Sequence, residues 1–312
     1  MFLQMKKELT ILIPTFNREN LLNRAIESLS QQNQDIKIHC IVSDNASKDS
    51  TTEVVSKWKN HSKNLIISYK KHFQEIEPFL NWKSMIDYID TDYSKFLFDD
   101  DWLENDALST MLSDINILNA DSIIYNTNIY AKTKKFVPIS NYYDQQDLKL
   151  TTQNVIDSVL RNSKPFPVTP SAAIQSSTLL KKAMQFSEVN TECTKKIIGN
   201  DLIMNFYPVF VGKHSHYKNE SIVNLWGGED SITINTTNGR LLSFCYLKSL
   251  IYLIEKNEIS LDKNQARKIN NKIFINNFRS IYDKETTKFS NSDIFHSKIS
   301  LKEIFAKFSK KK

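Results

Sequence analysis

The sequence predicts an α/β fold, a sheet with helices packed on both faces, followed by a helical C-terminal extension. Between Leu9 and Tyr130, short apolar runs rich in β-branched residues alternate with amphipathic stretches, the pattern of a doubly wound sheet. Beyond Arg240 the chain keeps a helical composition to its end, with little Gly or Pro. At 40% hydrophobic and 24% charged residues over 312 positions, it can bury a real core.

Leu9 to Thr15 reads as a buried strand, and Asn17 can cap the helix that follows, whose apolar face is Leu21, Leu22, Ala25, Ile26 and Leu29. Ile36 to Ser43 is the second strand. Ser50 and Glu53 make a capping box for a helix that turns Val54, Val55 and Trp58 inward. Asn64 to Tyr69 is the third strand, and Phe79 to Ile89 a helix with Phe79, Trp82, Ile86 and Ile89 at helical spacing. A fourth strand, Tyr93 to Phe98, runs into Asp99, Asp100 and Asp101. A helix bearing Leu103, Leu108, Met111, Leu112 and Ile115 follows, then a strand from Ser122 to Tyr130. Between Ala131 and Pro170 prolines interrupt the pattern, leaving loops and one helix near Val155 to Leu160. His214 and His216 alternate along a strand, as a plain strand pair or as metal ligands.

Several classes fall away. The chain has five glycines and the first is Gly199, so its α/β half carries neither a G-x-G-x-x-G dinucleotide turn nor a Walker loop. Cys40, Cys193 and Cys245 are too few and too far apart for a disulfide framework or a metal-ligand set. No run approaches the ~18 apolar residues of a membrane span, and the first ten residues lack a secretory signal, so the expected location is the cytoplasm. The net charge of +6 is drawn toward a lysine-rich stretch from Lys284 to Lys312, which suits an anionic surface better than a nucleic acid. Leu301, Ile304, Phe305 and Phe308 form a stripe beside Lys302, Lys307 and Lys310 to Lys312. That pattern fits either a terminal helix packed on the body or an interfacial helix on the inner face of the cell membrane.

In open α/β sheets ligands bind beyond the carboxyl ends of the strands. Here those ends carry Pro14 to Arg18, Ser43 to Ser47, and the three aspartates. The first two segments also suit ordinary turns. Three adjacent carboxylates repel one another unless solvent or a cation intervenes, and a hard divalent cation sharing its shell with phosphate and water resolves that repulsion.

The segments LTILIPTFNRENLLNRAIESL, IVSDNASKDST and KFLFDDDWLENDAL resemble the signature of inverting family 2 glycosyltransferases of GT-A fold, in order and spacing from Leu9 to about Tyr130. The resemblance implies a GT-A type sheet and transfer of a sugar from a nucleoside-diphosphate donor, a UDP-sugar above all, to a glycan or lipid-linked glycan in surface polysaccharide synthesis. It implies that Pro14, Thr15, Phe16, Asn17, Asp44 and Asn45 hold the nucleoside, with Asp44 accepting from the base edge, and that Asn81 lies near the donor sugar. The aspartates resemble the D-x-D motif in two registers. One puts Phe98 at the first D and Asp100 at the second, with Asp101 as the acidic residue that follows; the other pairs Asp99 with Asp101. Asp100 is the favoured ligand of Mn2+ or Mg2+, supported by Asp99 and Asp101.

The family's base is an Asp in G-E-D; Gly199, Asn200 and Asp201 stand there, Asn replacing Glu, and Asp201 is either that base or a helix cap. Ser176 to Phe186 resembles the strand and turn before the base, which would set Ser171 and Ala172 toward the acceptor. Trp226, with Ser231 to Thr233, resembles a loop over the diphosphate whose ring can stack on a sugar or lie in the core. The expected organisation is a donor half, 1–130, an acceptor and base half of the same domain, 131–239, and a helical region, 240–312. The rivals are an inactive glycan-binding or nucleotide-binding relative and a nucleotidyltransferase, whose Gly-rich triphosphate loop is missing between Pro14 and Arg18.

Overall fold

A computed structural model of the chain describes residues 8–59, 61–131, 138–141, 146–160, 166–188, 199–228 and 239–280. Cys193, Ser231 to Thr233 and the stretch from Lys284 to Lys312 lie outside them. The strands are β1 (Glu8–Thr15), β2 (Lys37–Asp44), β3 (Leu65–Lys71), β4 (Tyr93–Phe96), β5 (Trp102–Leu103), β6 (Ser122–Ala131), β7 (Pro138–Asn141), β8 (Leu148–Lys149), β9 (Ala173–Ser176) and β10 (Ser215–Gly227). The helices are α1 (Glu19–Ser30), α2 (Thr51–Trp58), α3 (Pro78–Lys83), α4 (Ala107–Leu118), α5 (Thr152–Val159), α6 (Ser177–Glu188), α7 (Asn200–Phe210), α8 (Gly239–Lys256) and α9 (Lys263–Ser280).

The strands form a single mixed sheet in the order β3-β2-β1-β4-β9-β6-β10-β5, with β7 on β6 and β8 on β10. β1 pairs in parallel with β2 on one side and β4 on the other, so the strand order reverses at β1. The register sets Thr15 opposite Asp44, and Asp44 opposite Lys71, so these ends open at one level. That is the switch-point crevice of an open α/β sheet.

Alternation along β1 divides the core. Leu9, Ile11 and Ile13 pack with Leu22, Ile26, Val55 and Met111 of α1, α2 and α4. Leu12 faces the other way, against Phe79, Trp82 and Phe96, with Leu180 and Met204. A third cluster joins Ile124 and Tyr217 of the sheet to Val155, Leu202, Phe206, Leu250 and Ile269 of α5, α7, α8 and α9. Both faces are covered, as the apolar patterning predicts.

Several local expectations are corrected. Asn17 does not cap α1: it takes a left-handed φ of 52°, Arg18 holds the cap position, and the Asn17 carboxamide accepts from Lys48 N at 2.8 Å in the neighbouring loop. Ser50 makes no side-chain cap; the Asp49 carboxylate instead accepts from Thr51 N at 3.2 Å and Glu19 N at 2.9 Å, opening α2 and α1 together. The helix expected over Phe79 to Ile89 breaks after Lys83, where the Ser84 hydroxyl donates to the Asn81 carbonyl at 2.8 Å, and resumes as a 3-10 turn at Ile86–Tyr88. Leu103 belongs to β5, opposite Val223, not to α4. Ser177 to Phe186 is helical, not a strand and turn. His216 lies in β10, half-buried, while His214 precedes the strand and is exposed. Cys40 and Cys245 are both buried. Among the described residues no helix is long and apolar enough to cross a membrane.

Candidate active site

The three aspartates follow β4 and meet the turn that follows β1. Arg18 Nη1 lies 3.1 Å from Asp99 Oδ1 and 3.3 Å from Asp100 Oδ2, spanning both carboxylates. Arg24 donates to the Asp100 carbonyl at 2.6 Å, its guanidinium 3.9 Å from the ring centroid of Trp102 and 5.0 Å from that of Trp226. Tyr130 packs on Trp102 with centroids 4.9 Å apart. This layered stack fixes the acidic run against α1 and β10 through aromatic and cationic contacts.

Asp101 points inward. Its Oδ1 accepts from Trp226 N at 3.2 Å, and the Ser171 hydroxyl also bonds it. Ser171 Oγ accepts in turn from Phe98 N at 3.0 Å, and the Ser171 carbonyl takes a 2.9 Å bond from Lys95 Nζ. Burial lifts all three carboxyls above their ordinary range; the charge of Asp100 adds to this for Asp99 and Asp101, while Arg18 draws Asp99 and Asp100 back down. Burial pushes the Lys95 ammonium down to about 7. Arg18, Arg24 and Lys95 thus answer part of the carboxylate charge.

Among the described residues no group of three or more His, Cys, Asp or Glu side chains is placed to hold a metal ion by itself. Asp100, whose side chain is 17% exposed against 6% for Asp99, offers one outward carboxylate. A divalent cation that takes a single protein carboxylate and fills its shell from phosphate and water fits that donor set.

On the β1 and β2 side, much of what the sequence offered for the donor is framework. Asp44 is fully buried; its oxygens accept from Ser47 N at 2.7 Å and Tyr69 Oη at 2.6 Å, so it ties the loop together rather than presenting a free edge to a base. The Asn45 carboxamide exchanges two 2.9 Å bonds with the main chain of Ile76. Asn81 is buried, accepting from Ser43 Oγ at 2.6 Å and donating to the Ser43 carbonyl at 3.2 Å. Pro14 and Thr15 are buried, and the surface left open by this turn is Phe16, 37% exposed, and Asn17.

On the acceptor side, Ser171 and Ala172 have no exposed surface, so their side chains support the wall instead of touching an acceptor. Asn205 of α7 donates to the Thr169 carbonyl at 2.9 Å and braces that turn. Gly199 opens α7 with φ of 95°, and the Asp201 carboxylate accepts from Gly199 N at 3.0 Å, Leu202 N at 2.8 Å and Tyr246 Oη at 3.0 Å. Asp201 keeps part of its surface open, yet heavy atoms crowd it enough for burial to lift its carboxyl to about 6.

The sequence reading gave no role to Arg18, Arg24, Lys95 or Tyr246. Arg18 stood within the first motif, at the carboxyl end of the first strand, and that place was a usable signal. The other three reach the site from an element's interior or from α8, where nothing local marks them.

Residues 10–181, more than half of the 312-residue chain, match the family model described as glycosyl transferase family 2. The GalNAc(5)-diNAcBac-PP-undecaprenol beta-1,3-glucosyltransferase of Campylobacter jejuni is 36% identical over 110 residues, 35% of each chain. Abequosyltransferase RfbV of Salmonella typhimurium is 31% identical over 100 residues, 32% of this chain and 30% of the relative. The match thus spans about a third of either relative. S. aureus TarS 1-349 in complex with UDP-GlcNAc superposes with a TM-score of 0.62 at 13% identity, covering 85% of this chain and 71% of that one. TarS 1-349 alone gives 0.59 at 16% identity over 95% and 76%. At such identities the likeness establishes a fold, the GT-A arrangement.

Proposed function

Because the chain belongs to glycosyl transferase family 2 through its match over residues 10–181, we propose that it transfers a sugar, with inversion, from a nucleoside-diphosphate donor to a glycan or lipid-linked glycan. The observation that carries this reading is the switch point itself. The turn of Phe16, Asn17 and Arg18 and the Asp99 to Asp101 run meet there, with Arg18 3.1 Å and 3.3 Å from two of the carboxylates. Phe16 and Asn17 line the nucleoside, Asp44 and Asn45 hold that loop in shape, and Asn81 fixes the floor behind it. Asp100, with Asp99 and Asp101 behind it, would hold a divalent cation, Mn2+ or Mg2+, which when bound would supply Lewis-acid stabilisation to the diphosphate leaving group. Asp201 takes the proton of the acceptor hydroxyl, the task of a base with a pKa near working pH. Trp226 and the adjoining Trp102 border the acceptor.

A UDP-sugar is the favoured donor, in line with the nucleotide sugar bound to TarS. The Campylobacter relative's undecaprenol-linked substrate favours a lipid-linked acceptor, hence surface polysaccharide synthesis in the cytoplasm or on the inner face of the membrane. The donor half at 1–130 and the acceptor half at 131–239 act as one domain.

A thermal-shift panel of nucleotide sugars, each with Mn2+ and with chelator, tests the donor and the cation together. A true donor at ~100 times its Kd stabilises by ~2.7 kcal/mol through mass action, and the gain should shrink with chelator. Silence from every nucleotide sugar, with none hydrolysed, would favour an inactive relative; equal shifts with and without chelator would remove the metal.

A further inference from the structure

The turn that opens α7 is seated directly on α8. A Cβ at Gly199 would overlap Ser249 Oγ and stand 3.0 Å from the Cys245 carbonyl, so the turn and the helix approach as closely as glycine permits. Leu247, Leu250 and Leu253 share a buried cluster with Leu202, Ile203 and Phe206, which fixes α8 against α7 along its length. From this docked helix Tyr246 sends its hydroxyl to Asp201 Oδ2 at 3.0 Å, while Asp201 Oδ1 is held by the main chain of its own turn. All of α8 lies beyond the residues matched by the family model, 10–181.

We propose that Tyr246 is a positioning residue for Asp201: α8 delivers a hydroxyl that fixes the carboxylate's orientation and favours its ionised form. The inference rests on Asp201 being the base. A hydrogen bond donated to a carboxylate favours the charged form, and here it opposes the burial that lifts the Asp201 carboxyl to about 6. Of the titratable groups on the elements packed against the turn, Tyr246 touches the carboxylate and Cys245 lies beside Gly199; from α6 the turn meets the Ser187 carbonyl, through Asn200. The helical region therefore contributes to the chemistry and is more than an appended support.

Tyr246→Phe keeps the ring and its packing while deleting the donor. With the full chain and a turned-over donor, the acid limb of kcat should move up by ~1 pH unit, with donor KM unchanged. The fall in kcat should be ~3–10-fold near pH 6 and smaller near pH 9, where the base ionises without help. A lost fold would lower kcat at every pH and show in the melting curve, so the pH-dependent deficit isolates the hydroxyl. Asp201→Asn is measured in parallel. Lost turnover in that variant beside an unmoved profile in Tyr246→Phe overturns the role of Tyr246 alone. Wild-type turnover in Asp201→Asn overturns the base reading and this inference with it.

Discussion

Asp201 is placed under two opposing demands, and a single substitution separates them. Its carboxyl stands at about 6 against an ordinary 3.8, raised by burial. A group whose pKa is raised on folding contributes stability that is full below its unfolded value and lost as pH rises through the folded one. At pH 8 the buried charge therefore costs the folded state on the order of 1–3 kcal/mol. Asn fits the same bonds, because Oδ1 can still accept from Gly199 N and Leu202 N and Tyr246 can reverse its hydroxyl. Asp201→Asn should thus melt higher than the parent at pH 8 and about equally at pH 4. Its turnover should fall by ~10² or more, the scale of general-base loss, with donor affinity nearly intact. Calorimetric melts at the two pH values and steady-state assays check both halves; a variant no more stable at pH 8 would show that the carboxylate is well solvated.

At the scale of elements, what the sequence made legible follows from period and what it hid follows from distance. β1 to β4 and the helices between them were readable because Leu9, Ile11 and Ile13 face one layer and Leu12 the other, an alternation written in the chain itself. β5 was hidden in a two-residue pairing with Val223 and Asn224 that only tertiary contact creates. The acidic run was legible as three letters; its supports were not, since Lys95 and Ser171 meet across 76 positions. Asn45 and Asn81 look like polar ligand groups in a sequence, yet their amides close on Ile76 and Ser43. Helix starts misled for the same reason. Asp49, not Ser50 or Asn17, anchors both α1 and α2, accepting from Glu19 N, Thr51 N and the Thr51 hydroxyl. Burial raises its carboxyl, but those bonds more than offset it and leave it below the ordinary range. Its stabilisation is therefore present above that range and lost as pH falls through the lowered value. Asp49→Ala should cost ~1–2 kcal/mol near pH 7, the scale of a lost cap counted over two helix starts, and much less near pH 3. Urea titration at both pH values reads it; an equal loss at each would assign the effect to packing.

Across the whole molecule, a single sheet brings the ends of β1, β2 and β4 to one crevice, and α7, which bears Asp201, shares a buried core with α8 on that sheet. On the proposed reading a sugar donor and a lipid-linked acceptor meet at that sheet, and that reading needs a route to a membrane although no described helix can cross one. The sequence beyond the described residues offers an answer. Leu301, Ile304, Phe305 and Phe308 recur at helical spacing beside Lys302, Lys307 and Lys310 to Lys312. An interfacial helix gains by burying such a stripe among acyl chains, and each lysine near an anionic surface adds ~1 kcal/mol. Attachment of that kind is reversible and weakens with salt, because the Debye length shrinks from ~10 Å at 0.1 M to ~3 Å at 1 M. The full chain should therefore sediment with vesicles containing anionic lipid at low salt, less at high salt, and little with neutral vesicles. A truncation ending before Lys298 should stay in the supernatant while keeping donor-dependent stabilisation, since the donor-site residues and Tyr246 all precede the cut. Equal recovery of both proteins in the supernatant would leave the stripe to pack on the body and require the acceptor to be met in another way.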